Sequence, residues 1–484
     1  MRWPLFLLAP VLAVAAAAQT RPTPRAEVRA AWVTTARSDA LASPAATAAT
    51  MQAHRAIGLN TVYVECWKRG ATHYPSAAYA RLMGKDRNPE LLPGGALHGG
   101  AGGARDLLGE VVLEAHRAGL LVLAWFEYGL MAAHQSMPNA FLERVRPWLM
   151  TDRNGSIWAR NGFAWLNPLR PEVQEFVLGI VLDAVRGYDL DGVQFDDRLA
   201  WPHVEMGYDA YTREAYAREH GGRPPPAEYR DPDWLRWRAG KVAAFAAKLA
   251  ETLRAERPGL LLSLSPGPHP WSYQNYAVDW PEWSRWPGPR GGPRAGFDEF
   301  VPQCYRASHE GFAAVFTQQR TRMAHRPLAL VAGISLVSDD VVLPWDDLRR
   351  SLELVRASGA AGHAFWHSKA VTGEHAADLR AFYRTDESGP ARHPLRPADW
   401  RPPPREVSPL HQDRTRWSLD GVPAGAWRVV YERDGVRREV QDLALTRSGR
   451  RDPLVVPAGQ GPPDRVFLLL DRRPDMARPV GATR

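Results

Sequence analysis

The chain has 484 residues, 45% of them hydrophobic and 24% charged, with a formal charge of +8 and an isoelectric point near 9.6. Those proportions supply ample core material and exclude an extensively disordered protein. The positive charge comes mostly from Arg scattered along the whole chain, without a dense cluster or a nucleic-acid module, so no nucleic-acid partner is expected.

Residues 1–18 have the form of a signal peptide: Arg2, an apolar run from Leu5 to Ala17, and small residues before a cleavage point near Ala18. The protein is therefore expected to be exported, periplasmic or extracellular, and associated with the cell envelope. There a basic surface favours anionic polymers. No later stretch is long and apolar enough to span a bilayer, so stable membrane insertion after cleavage is not expected. Two cysteines, Cys66 and Cys304, are too few for a disulfide framework.

Eight short β-branched or aromatic runs follow in order: Val28–Thr35, Thr61–Trp67, Leu120–Glu127, Leu190–Asp196, Leu260–Ser265, Glu299–Tyr305, Leu328–Ile334 and Gly362–His367. Between them lie helical patterns. Ala45–Ile57 precedes Gly58, Arg105–Ala118 precedes Gly119, Pro171–Arg186 opens on Pro, and Asp346–Ala357 precedes Ser358-Gly359. Alternating strand and helix predicts a parallel sheet with right-handed crossovers, and eight repeats predict closure. The expected fold is α/β: a (β/α)8 TIM barrel over residues 19–385 with long rim loops. Residues 386–472 read as a small β-rich appendage, with strands at Ala426–Tyr431, Arg438–Leu445 and Val466–Leu470 around the turn Arg433-Asp-Gly435. Residues 473–484 are expected to be a disordered tail.

The richest segment is Asp191-Gly-Val-Gln-Phe-Asp-Asp197. Side chains alternate along a strand, so Gly192, Gln194 and Asp196 share one face and Val193 and Phe195 the other. Apolar outward and polar inward, ending in acid, suits a barrel strand whose carboxyl end carries chemistry. The structural alternative is that Asp196 or Asp197 caps the next helix. The other strand ends deliver Trp67, Glu127, Ser265, Gln303, Tyr305 and His367 to the same rim, with Glu65 close by. Histidines 134, 203, 269, 309 and 367 fall on separate loops, so no metal site and no cofactor are expected. Paired carboxyl groups with aromatic walls suit glycoside hydrolysis, in which one acid donates a proton and another stabilises or attacks the anomeric carbon. Asp196 is the first candidate, with Glu127, then Asp197 and Glu65, as its partner.

Several motifs together resemble the glycosyl-hydrolase-like family 10 of bacterial envelopes. They are Glu27-Val-Arg-Ala-Ala-Trp-Val-Thr-Thr35, Asn60-Thr-Val-Tyr-Val-Glu-Cys-Trp-Lys-Arg-Gly70, Tyr74-Pro-Ser76, Ala124-Trp-Phe-Glu-Tyr-Gly129, Trp165-Leu-Asn-Pro168, Asp191–Asp197, Pro302-Gln-Cys-Tyr-Arg306 and Gly333-Ile-Ser335. The resemblance runs from about residue 27 to 370 in the family's order. It implies a TIM barrel and glycoside hydrolase activity on a polysaccharide, and characterised relatives act on peptidoglycan glycan strands lacking stem peptides. It adds Gln194, Asn167, Arg306 and His367 to Trp67, Gln303 and Tyr305 as expected substrate contacts. Strand eight ends Phe365-Trp-His-Ser-Lys369, where close relatives are expected to carry Tyr-Glu-Ser. Two rival readings use the same barrel. A non-catalytic carbohydrate-binding protein would bind glycan without turnover, and a metal-dependent deacetylase would lose activity in a chelator.

Overall fold

In the computed structural model, the described residues are 25–471 apart from 102, 287–295, 339–340, 385–389, 397–399, 401–404, 421, 423–424, 434–435, 446–452 and 457–460. The expected signal peptide and C-terminal tail lie outside them. The eight barrel strands are β1 (Val28–Val33), β2 (Thr61–Glu65), β3 (Leu121–Phe126), β4 (Gly192–Asp196), β5 (Leu261–Ser265), β6 (Glu299–Phe300), β7 (Val331–Ser335) and β8 (Gly362–Trp366). They form one parallel sheet in the order β6-β5-β4-β3-β2-β1-β8-β7. The sheet closes through bridges Phe300–Leu330 and Gln303–Gly333. Strand β6 is shorter than the expected Glu299–Tyr305 because Pro302 interrupts the ladder, yet Gly333 N still donates to Pro302 O at 3.1 Å. The TIM barrel expected from strand–helix alternation is the fold.

The helices between strands start and stop where their end residues direct. Helix α1 (Pro44–Ile57) has Pro at its first position and the Ser43 side chain accepting from Ala46 N, and it ends at Gly58 in the left-handed region. Asp106 caps α2 (Leu107–Ala118), which ends at Gly119. Helices α3 (Pro171–Gly187), α4 (Pro232–Glu256), α5 (His309–Arg322), α6 (Trp345–Ala357) and α7 (Ala376–Arg384) complete the outer ring. After β5 come only the short helices Trp271–Tyr276 and Trp280–Trp283 among the described residues. No helix among them is long and apolar enough to cross a membrane.

Strand parity divides the core in two. Val193, Phe195, Val62, Val64, Val122 and Ala124 join the shell between sheet and helices. Trp32, Tyr63, Leu123, Trp125, Leu261, Val301 and Val331 fill the barrel interior. Below them, at the amino ends of the strands, Glu299 accepts from Tyr63 Oη and Ser263 Oγ, each at 2.7 Å, and meets His393 Nε2 at 3.2 Å. The segment after α7 forms this floor. Leu395 packs into the interior cluster, and Trp400 Nε1 donates to Asp191 Oδ1 at 2.6 Å. The barrel unit therefore continues past the expected boundary at residue 385.

The appendage is a four-stranded antiparallel sheet in the order Arg405–Val407, Arg465–Asp471, Gly425–Arg433, Val436–Leu445. It packs Val430, Phe467 and Leu469 against Leu113 on α2. The Arg117 guanidinium, in the last turn of α2, lies 5.1 Å from the Phe467 ring centroid.

Candidate active site

The inward face of each strand continues into a top layer of polar side chains. Thr34, Glu65, Glu127, Asp196, Ser265 and Gln303 all keep the parity of the interior residues two positions earlier. One chain of contacts joins them. Glu65 accepts from Thr34 Oγ1, from Thr35 Oγ1 at 2.6 Å and from Lys68 Nζ at 2.5 Å. Lys68 Nζ also lies 3.5 Å from Glu127 Oε2. On the other side of Glu127, Arg198 Nη1 stands 3.4 Å from its Oε1, 2.5 Å from Asp196 Oδ2 and 3.5 Å from Asp197 Oδ1. Gln303 Nε2 donates to Asp196 Oδ1 at 2.8 Å and to Ser265 O at 3.2 Å.

These contacts limit the spacing of the acids. Since Asp196 Oδ2 and Glu127 Oε1 lie 2.5 Å and 3.4 Å from the same nitrogen, they are at most about 5.9 Å apart. By the same reasoning, Lys68 at 2.5 Å and 3.5 Å holds Glu65 and Glu127 oxygens within about 6.0 Å.

Local backbone fixes Arg198. Gly129, just past β3, has φ +47°, and a Cβ there would stand 2.4 Å from Arg198 O. Leu130 N donates to that same carbonyl at 3.1 Å. Only glycine allows the two loops to approach this closely.

Burial separates the carboxyl groups. Asp196 is pushed well above the usual carboxylate range, by burial first and then by the adjacent Asp197, with Arg198 opposing. Glu127 is also raised by burial, against Arg198 and Lys68, and its Oε2 is buried without a hydrogen-bond partner. For Glu65 burial is the largest influence and acts upward, but Lys68, His73 and the Thr34 hydrogen bond together outweigh it and hold the carboxyl below its ordinary value. Asp196 and Glu127 are thus both shifted toward holding a proton and Glu65 toward losing one.

The structure brings Asp196, Glu127, Asp197 and Glu65 into this network. Neither aspartate caps a helix there, since the chain turns after Asp196 and the next helix begins at Ala210 behind Asp209. Gln303 and Tyr305 also reach the rim. The Tyr305 ring stacks on Trp366 with centroids 6.5 Å apart. His367 lies beside Trp366 and caps the short helix Ser368–Thr372.

Four expected contacts lie elsewhere. Trp67 is fully buried against Tyr79, Phe141 and Phe176, with its Nε1 donating to Gly129 O at 3.1 Å. Strand β2 ends at Glu65, and the hairpin of Trp67-Lys68 with Ala71-Thr72 turns the ring out of the barrel. Gln194 sits one layer too deep, accepting from Trp32 Nε1 at 2.7 Å and donating to Ser263 Oγ at 2.9 Å. Asn167 is buried and holds Thr212 Oγ1 at 2.8 Å, anchoring the helix Ala210–Glu219. Arg306 is exposed and turns back to Tyr305 O at 2.5 Å.

Sequence reasoning missed Lys68, Arg198, Thr34 and Trp366. Parity could have found Thr34 and Trp366, which continue the inward faces of β1 and β8. Arg198 directly follows the acid pair, and a buried acid pair requires a cation nearby. Among the described residues, no three His, Cys, Asp or Glu side chains are placed to hold a metal ion together.

The family model described as glycosyl hydrolase-like 10 matches residues 27–336. Glycosyl hydrolase DigH of Escherichia coli (strain K12) is 26% identical over 227 residues, which cover 43% of this chain and 44% of DigH. Glycosyl hydrolase YngK of Bacillus subtilis (strain 168) is 24% identical over 219 residues, or 43% of this chain and 37% of YngK. The chain thus spans less than half the length of these curated relatives. Among solved structures, the PgaB (BpsB) glycoside hydrolase domain from Bordetella bronchiseptica matches with a TM-score of 0.53 and 15% identity, over 74% of this chain and 98% of that one. The catalytic domain of β-amylase from Paenibacillus polymyxa matches with a TM-score of 0.51 and 9% identity, over 75% and 100%. At such identities the likeness shows the barrel fold alone.

Proposed function

The chain belongs to the glycosyl hydrolase-like 10 family, and on that footing we propose that it is an exported glycoside hydrolase. Its substrate is a polysaccharide of the cell envelope, namely peptidoglycan glycan strands, and it cleaves their O-glycosidic bonds. One observation carries this reading: Asp196 and Glu127 present oxygens within about 5.9 Å of each other at the mouth of the barrel.

Asp196, whose hold on its proton burial strengthens, gives that proton to the glycosidic oxygen as the bond to the anomeric carbon breaks. Glu127, placed between the cations Lys68 and Arg198, faces the positive charge that develops on the sugar and forms the glycosyl–enzyme bond. Water then attacks the anomeric carbon, Asp196 takes the water's proton, and Glu127 leaves. A separation near 5–5.5 Å belongs to retaining enzymes and about 6.5–9.5 Å to inverting ones, so the reading includes retention of anomeric configuration. Gln303 holds Asp196 in place, and the paired Tyr305 and Trp366 rings supply apolar faces for the sugar's C–H bonds.

The test is mass spectrometry of products from purified glycan strands, with and without stem peptides, incubated with wild type and with Asp196→Asn. Soluble fragments from wild type alone support the assignment. Full cleavage by folded Asp196→Asn removes it, and binding without turnover by wild type would make the protein a carbohydrate-binding barrel instead.

A further inference from the structure

Trp271 opens the short helix Trp271–Tyr276 in the loop after β5 and is 49% exposed. Among the described tryptophans it alone is exposed. A single apolar side chain in water is common and needs no explanation. Three features set this one apart.

The ring has a prepared seat. A Cβ on Gly267 would stand 2.7 Å from the Trp271 ring, so the indole rests directly on that backbone. Gly267 comes two residues after Ser265, whose carbonyl accepts from Gln303 in the acid network. Its own carbonyl accepts from Trp280 Nε1 at 3.1 Å, which pins the loop. The indole is therefore held against the carboxyl end of β5.

The ring also ends a row that starts at the acids. Trp271 and Tyr276 have centroids 5.2 Å apart at 50°, and Tyr276 and the buried Trp165 have theirs 6.2 Å apart at 38°. Trp165 belongs to the loop after β3 and Tyr276 to the loop after β5, so their contact bridges the strands on either side of β4. Trp201 N donates to Tyr276 O at 3.0 Å and ties it to the segment that follows Asp197 and Arg198. The Tyr276 hydroxyl titrates above its ordinary range, through burial first and then through Asp197, with Arg198 opposing.

Finally, β4 and β8 stand on opposite sides of the closed ring. The Tyr276–Trp271 row therefore lies across the mouth from Trp366, at the end of β8. A glycan chain that runs past the acids from Trp366 leaves the mouth over Tyr276 and then Trp271. The 5.2 Å step between those two rings is comparable with the distance from one pyranose ring to the next. We infer that Trp271 is a remote glycan-binding platform, on which a sugar beyond those flanking the cleaved bond packs its C–H face. The inference rests on the glycoside hydrolase reading and adds chain length to it. Binding energy gained away from the reacting bond is available at that bond, so long strands are cleaved faster than short ones.

The experiment uses the whole chain and peptide-free glycans graded in length from the tetrasaccharide to intact strands, with rates counted per bond. Wild-type kcat/KM should rise about tenfold along the series. In Trp271→Ala the rise should be about twofold or less, and Trp271→Tyr should restore most of it. Gly267→Ala keeps the indole but unseats it, and should flatten the series as well. A flat wild-type series, or the wild-type rise retained in either alanine variant, would overturn the inference. So would a loss in Trp271→Ala that is equal at every length, which marks a structural role. The same series followed by titration calorimetry with Asp196→Asn reads binding without turnover. Affinity that rises with length, and loses that rise when Trp271→Ala is added, supports the platform even if wild type cleaves no glycan, an outcome that removes only the hydrolase reading. Affinity independent of length overturns the platform whatever the catalytic result.

Discussion

Arg198 Nη1 stands 2.5 Å from Asp196 Oδ2 and belongs to the residue two positions further along the same turn. The same nitrogen lies 3.4 Å from Glu127 Oε1 on the neighbouring strand end. One guanidinium therefore acts on the charge of both acids. Its positive charge favours their ionised forms and opposes burial, which favours the protonated ones.

Replacing Arg198 by Gln removes the downward influence on both groups. The alkaline limb of kcat/KM, where Asp196 loses its proton, moves to higher pH. The acid limb, where Glu127 gains one, moves the same way. The optimum should rise by roughly one pH unit or more, with a lower maximum. A pH–rate profile with unmoved limbs would exclude Arg198 as the controlling charge.

Lys68 neutralises a fully buried Glu65. Lys68→Met leaves that carboxylate without its closest cation and should cost about 3–5 kcal/mol at pH 7. The sign with pH follows from the lowered Glu65 value. In wild type the stabilisation is present above the unfolded-state value near 4.5 and fades as pH falls through the lower folded value. In the variant burial dominates and Glu65 binds a proton more readily, so the gap between the proteins should narrow as pH drops toward 4.5. Urea melts at several pH values measure it, and a pH-independent gap would contradict the charge argument.

Gly129→Ala tests the loop contact behind Arg198. A left-handed φ costs a non-glycine residue about 1–2 kcal/mol, and the new Cβ would press on Arg198 O. The Arg198 turn must shift, so activity should fall at least about tenfold while the fold survives. Unchanged kinetics would mean that the turn does not set the acids' geometry.

Two tryptophans should behave oppositely. Trp67→Ala empties a buried site among three aromatic rings and should destabilise by about 3–5 kcal/mol. Trp366→Ala, at a half-buried ring on the rim, should raise KM about tenfold with a stability loss less than half as large. Denaturant midpoints alongside KM values separate them, and a KM effect confined to Trp67→Ala would reverse their roles.

The barrel was legible because its repeats carry local signals: a β-branched run, a helix opened by Pro171, a stop at Gly58 or Gly119. The inward parity of Gln194 and Asp196 was equally readable, since alternation needs no tertiary information. Depth was not. Gln194 and Asp196 share a face, yet two residues of rise separate a packed interior from the mouth. Trp67 failed for a related reason, because the hairpin beyond Glu65 ends the alternation that would have pointed it inward. Lys68 and Arg198 were hidden because a cation's partners in space are chosen by loops whose paths no period encodes.

His393, Leu395 and Trp400 lie beyond the last helix of the ring, yet they cork the barrel from beneath. A fragment trimmed after α7 would open the underside to water and leave Glu299 without its histidine. Domain dissection by cloning must therefore keep this strap, and the smallest self-sufficient catalytic fragment runs at least through Trp400. The β-rich appendage packs along the flank of α2, with Leu113 and Arg117 against its sheet.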